Sequence, residues 1–169
     1  IANSTNRFYN FRPDPDDQIT VTAGSTEALS STLRAMCNPG DGLIIFQPFH
    51  EMYPNQANLF GINPIYVTLN ENSETQQWEL NKEELTAAAQ NARAIILNTP
   101  HNPSGRVLNR EELLGVAELC IEHDLVAVTD EIYDRILYDG REHIPLATLP
   151  GMDERTITVG GLSKTFAIT

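Results

Sequence analysis

Three short runs of uninterrupted apolar residues, at 42–46 (GLIIF), 94–97 (AIIL) and 125–128 (LVAV), constrain this chain more than any other feature. A strand with one wet face alternates apolar and polar residues. A run without alternation fits a strand buried on both faces, as happens where helices cover both sides of a parallel sheet. Between the runs lie stretches with helical spacing. Residues 25–37 place Leu29, Leu33 and Met36 on one face, and the NPGDG cluster ends that stretch. Residues 51–60, 81–92 and 109–124 are three further helices. The last two open with Asn81 and Glu84, and with Asn109 and Glu112, the asparagine form of a capping box. Additional strands are predicted at 19–22 (ITVT), at 62–69, which admits a proline near its start, and at 156–161 (TITVGG). Strands and helices that alternate in this way predict an α/β fold, three layers α/β/α around a mainly parallel sheet with right-handed crossovers. With 169 residues and no internal repeat or linker, the chain is the size of one domain.

Charge and composition then narrow the partners. Eleven Lys and Arg stand against twenty-three Asp and Glu, a net charge of −12, which argues against a nucleic-acid footprint. No apolar run approaches the roughly 20 residues of a membrane span, and the first residues carry no secretory signal pattern, so the cytoplasm is the default compartment. Cys37 and Cys120 lack metal or redox spacing and read as small buried hydrophobes. The four histidines show no ligand spacing, and no metal is predicted.

Ligands of open parallel sheets bind beyond the carboxyl ends of the strands, so the loops there carry the chemistry. Gly24, Ser25 and Thr26 open a helix. Small residues there either cap it or leave N–H groups free to receive an anion such as phosphate. In NTPHNPSGRVL (98–108), Asn102 is held away from helical geometry by Pro103, and Gly105 gives turn freedom. In VAVTDEIYD (126–134), Asp130 ends an apolar strand with Tyr133 three residues on. A carboxylate there either caps the following turn or meets a cation or donor that offsets its desolvation. Last comes GLSKTFAIT (161–169), in which Lys164 is flanked by Gly161, Ser163 and Thr165.

TPHNPSGRVL, TDEIYD and GLSKTFAIT, in this order after the small-residue loop, resemble the fold type I aminotransferases that use pyridoxal phosphate, in the neighbourhood of the class I/II kynurenine, cysteine-conjugate and methionine aminotransferases. The resemblance covers nearly the whole chain. It implies that Lys164 forms the Schiff base with the cofactor and later moves the substrate proton, that Asp130 pairs with the pyridine nitrogen, and that Asn102 and Tyr133 bond the ring 3-oxygen. Gly24, Ser25 and Thr26 would take the phosphate. Where the family stacks an aromatic residue on the ring, two residues after the proline of QPFHEMY, this chain has His50. Where many members place a phosphate-binding serine, three residues before the lysine, it has Gly161, and Ser163 would compensate in part.

The resemblance further implies L-amino acid and 2-oxo acid substrates and a homodimer. It also implies a chain that is the central part of the large domain, without an N-terminal arm, a small domain and two family arginines. A C–S β-lyase uses the same residues for the same proton abstraction, and a non-enzymatic effector-binding domain is a third reading.

Overall fold

The computed structural model describes residues 1–74 and 77–168. Its helices are α1 (Ala2–Tyr9), α2 (Gly24–Met36), α3 (Met52–Leu59), α4 (Lys82–Ala89), α5 (Arg110–Glu122) and α6 (Ser163–Phe166). Its strands are β1 (Gly42–Gln47), β2 (Asn63–Asn72), β3 (Gln77–Leu80), β4 (Ala94–Asn98), β5 (Val126–Asp130) and β6 (Thr156–Val159).

The strands form one sheet in the order β3-β2-β1-β4-β5-β6. All neighbouring pairs are parallel except β2 with β3. The chain leaves β1 toward β2 and the β3 edge, then crosses back to place β4, β5 and β6 on the other side of β1. This reversal makes a topological switch point between β1 and β4, the place where ligands of open α/β sheets bind beyond the carboxyl ends of the strands.

Side-chain alternation along the apolar runs divides the core into two layers. Ile44, Phe46, Ile95, Leu97 and Ala127 face α4 and α5, meeting Leu85, Leu113 and Val116. Leu43, Ile45, Ala94, Ile96, Val126 and Val128 face the other way, onto Leu29 and Leu33 of α2 and Tyr53 and Ala57 of α3. Both faces are covered, so the strands are apolar at successive positions.

The predicted strand at 19–22 does not form. The segment pairs with no strand, and Val21 is 81% exposed. β-branched residues favour a pleated, half-buried surface, and here no neighbour supplies one. Conversely β3, an antiparallel edge strand with the sequence QWEL, is an element that the sequence reading lacks. The capping box of α5 is complete, with Asn109 and Glu112 bonding reciprocally. That of α4 is half formed: Asn81 accepts from the Glu84 N–H, but the Glu84 carboxylate turns away to accept from the Thr68 N–H at 3.0 Å. Cys37 and Cys120 are free and buried, and burial pushes both thiols up, Cys120 to about 12.

Candidate active site

Parallel pairing sets Asn98 opposite Asp130, and Asp130 opposite Val159, so the carboxyl ends of β4, β5 and β6 lie side by side. Asp130 is 4% exposed. Burial raises its pKa, and the Tyr53 hydroxyl, the Ile132 N–H and the nearby His50 work against that rise. The Tyr53 hydroxyl donates to Oδ2 at 2.8 Å, and the Ile132 N–H donates to Oδ1 at 3.3 Å. The second bond is the weak turn cap read from the sequence. Asp130 is in no ion pair among the described residues, so the hydrogen bonds that reach its buried carboxylate come from neutral donors. Tyr53 is buried as well, and desolvation together with Asp130 raises its phenol pKa, which keeps the proton on the donor.

Asn98 fixes this corner from the neighbouring strand. Its Nδ2 donates to the Asp130 carbonyl at 2.8 Å, and its Oδ1 accepts from the Asn102 N–H at 2.7 Å. The loop after β4 closes on itself: the His101 N–H donates to the Arg106 carbonyl at 2.8 Å and the Leu108 N–H to Thr99 Oγ1 at 3.1 Å. His101 is buried, with Nδ1 2.7 Å from Ser104 Oγ, while the ring also bonds the Pro48 backbone in the loop after β1. Burial and the Arg106 charge lower its pKa to about 4, so the ring is neutral and joins the two loops that flank the switch point.

The predicted residues differ in exposure and in the elements that hold them. Gly24 is the first residue of α2, with φ +82° and open space at its Cβ position. Neither Ser25 nor Thr26 caps α2, since its N-cap is Ala23 with no side-chain cap bond. The Ala23 N–H donates to the Glu27 carboxylate and the Gly24 N–H to the Thr22 carbonyl at 2.9 Å, while the N–H groups of Ser25 and Thr26 lack intrahelical partners. His50 is half-buried, its Nδ1 accepting from the Met52 N–H at 3.2 Å, its ring 5.9 Å from that of Tyr53. Phe49 stacks on Tyr66 instead, at 5.3 Å. Tyr133 is half-buried and near enough to Tyr53 to raise its pKa, whereas the Asn102 amide makes no hydrogen bond among the described residues.

Lys164 is exposed on the single turn of α6, and its amine is unpaired among the described residues. The neighbouring Thr165 hydroxyl donates to Asp134 Oδ1 at 3.4 Å, and the Tyr9 hydroxyl donates to Oδ2 of the same carboxylate at 2.7 Å. Asp134 thus ties α1 and α6 to the segment after β5. A Cβ at Gly161 would lie 2.6 Å from Ile132 Cδ1, so glycine permits the approach of the β6 end to the Asp130 turn.

Sequence reasoning missed Asn98 and Gln56 and noted Tyr53 only as a neighbour of His50. Asn98 carried a signal, since it ends a buried strand as Asp130 does. Tyr53 and Gln56 act across long sequence separations, which leave no local pattern.

The arrangement offers a buried carboxylate acceptor for a cationic nitrogen, a helix N-terminus whose Ala23 and Gly24 N–H groups are bonded to Glu27 and Thr22 but whose next N–H groups lack intrahelical partners, and an unpaired amine. Among the described residues no helix is long and apolar enough to cross a membrane, and no group of His, Cys, Asp or Glu could hold a metal ion. A family model described as aminotransferase class I and II matches residues 2–169. Kynurenine–oxoglutarate transaminase 3 of Rattus norvegicus is 38% identical over 170 residues, covering 96% of this chain and 37% of that protein. The solved structure of N-succinyldiaminopimelate aminotransferase from Mycobacterium tuberculosis superposes with a TM-score of 0.94 at 34% identity, over 98% of this chain and 43% of that one. A PLP-bound C–S lyase from Staphylococcus hominis gives 0.90 at 25% identity, over 98% and 43%. The chain therefore spans well under half the length of the relatives it matches.

Proposed function

The chain belongs to the class I and II aminotransferases, and from that premise we propose that the protein is a pyridoxal-phosphate-dependent aminotransferase moving an α-amino group from an L-amino acid to a 2-oxo acid. One observation carries the reading: Asp130 is a buried carboxylate at the mouth of the central strands, held by Tyr53 and Asn98, with no cation of the described residues paired to it. The residues present fit the cofactor. An ionised Asp130 suits a protonated ring nitrogen, and the first turn of α2, where the N–H groups of Ser25 and Thr26 follow Gly24 without intrahelical partners, suits a phosphate dianion.

When bound, pyridoxal phosphate supplies an aldehyde and an electron-withdrawing ring that stabilises negative charge at the substrate α-carbon. Asp130 keeps the ring nitrogen protonated. Asn102 and Tyr133 would orient the ring through its 3-oxygen, and His50 would stack on it. Ser163, with Gly161, would lie close to the phosphate. Lys164 Nζ would take the proton from the α-carbon as general base and return it as general acid.

The same residues serve a C–S lyase, and the likeness to a solved lyase keeps that second reading in view. Pyruvate and ammonia released from a cysteine conjugate without a 2-oxo acid would favour it. We also infer a homodimer in the cytoplasm; the two free, buried cysteines suit a reducing compartment, and family members build the site between subunits.

Lys164→Ala should abolish transamination. Borohydride reduction in the presence of pyridoxal phosphate should label Lys164 alone, as mapped by mass spectrometry. Labelling elsewhere, or turnover retained in Lys164→Ala, would overturn the assignment.

A further inference from the structure

Helix α3 carries two buried polar side chains three residues apart, hence on one helical face, and each reaches a different end of the site. Tyr53 donates to Asp130, the end where a ring nitrogen would sit. Gln56 Nε2 donates to the Thr26 carbonyl at 3.1 Å, in the first turn of α2. Gln56 is 8% exposed, and its Oε1 is buried without a partner among the described residues. An orphaned buried carbonyl oxygen is a cost that an apolar side chain of similar size would not carry. What the amide contributes in return is the bond to Thr26.

That bond acts on orientation. A first-turn carbonyl points down the helix while the first-turn N–H groups, among them those of Ser25 and Thr26, point toward its N-terminus. Gripping the carbonyl from outside fixes the tilt of that turn, and with it the direction in which the N–H groups of the turn converge. Because the same face of α3 also holds Asp130, the helix sets the span between the acceptor for the ring nitrogen and the anion cup.

We propose that Gln56 is a positioning residue for the phosphate end of the cofactor site, with α3 as the strut that matches that end to Asp130. The inference rests on the reading of the site as one for pyridoxal phosphate, and the experiment separates the two. Equilibrium binding of pyridoxal 5'-phosphate and of pyridoxal, which lacks the phosphate, is measured for the wild-type protein, Gln56→Met and Tyr53→Phe, with folding checked by circular dichroism.

Gln56→Met, close in volume but without a donor, should weaken pyridoxal phosphate about tenfold and leave pyridoxal nearly unchanged, the loss of one oriented bond. Tyr53→Phe should weaken both ligands alike and keep their ratio. A Gln56→Met protein that loses affinity for both equally, or for neither, overturns the positioning role. Should Gln56→Met fail to fold, Gln56→Leu is read by the same ratio. A wild-type protein that binds neither ligand removes the functional reading itself, and this inference with it.

Discussion

Burial disfavours the ionised form of Asp130, and the hydroxyl of Tyr53 is one of the groups that hold it back from neutrality. Such a group costs stability at neutral pH, because its folded pKa is raised: the penalty is absent below the unfolded carboxyl value, grows as pH rises from there toward the raised folded value, and is complete above it. Asp130→Asn should therefore unfold in urea at pH 7 at the same or a higher midpoint while losing cofactor-dependent activity. A destabilisation of about 2 kcal/mol or more would show that the carboxylate is well solvated or paired by its donors. Tyr53→Phe should act in the opposite sense, lowering stability at pH 7 and less so at acid pH, where a protonated Asp130 needs no donor. His101 has the reverse linkage. Its pKa is lowered from 6.5 to about 4, so the neutral ring's contribution is complete above about pH 6.5 and is lost as pH falls through 4. That loss is about 3 kcal/mol, and the difference between wild type and His101→Gln in urea titrations across pH 7 to 4 reads it. Parallel curves would mean that the ring is solvated.

At the scale of elements, the caps decide how firmly the helices that back the sheet begin. Asn109→Ala should cost about 1 kcal/mol in chemical denaturation, the usual value of an N-cap. Glu112→Ala should cost more, because Glu112 both completes the capping box and pairs with the Arg106 guanidinium, which is nearly buried and already has one unpartnered nitrogen. Equal effects of the two variants would show that the Arg106 pair contributes nothing. Asn109 and Glu112 were legible in the sequence because a capping box is local. The buried strands were legible for a related reason, since burial on both faces writes an apolar residue at every position of 43–46 and 94–97. Residues 19–22 have the composition of a strand, but pairing is a tertiary event. β3 has the opposite problem, an edge strand with polar positions and little apolar signal. Of the candidate site, Asp130 and Asn102 stand out in the sequence as polar residues at strand ends, and Lys164 through the family resemblance. The contacts of Tyr53 with Asp130 and of Gln56 with Thr26 bridge 77 and 30 residues, and no short-range pattern encodes them.

At the scale of the whole molecule, one sheet separates two apolar layers that touch only through its strands. Leu33, fully buried, belongs to the layer under α2 and α3, and Leu113, also fully buried, to the layer under α4 and α5. Truncating either to alanine should cost 2–5 kcal/mol, roughly the range for a fully buried leucine whose cavity cannot collapse. Their side chains share no partner, since alternating strand residues point to opposite faces, so the double variant should show the sum of the two losses within about 0.5 kcal/mol. A layered fold of this kind still unfolds as a unit, because every strand of the sheet's centre contributes side chains to both layers, and losing one layer exposes the backs of the strands that hold the other. Urea unfolding followed by tryptophan fluorescence, which reports Trp78 on the α4 and α5 side, and by far-ultraviolet circular dichroism, which reports the whole chain, should give coincident transitions for wild type and both single variants. Separate transitions in Leu33→Ala would show that the α2 and α3 layer melts alone. The first turn of α2 and the α3 strut would then be lost before the strand ends that carry Asp130 and Asn98, and cofactor affinity would fall at urea concentrations at which Trp78 is still native.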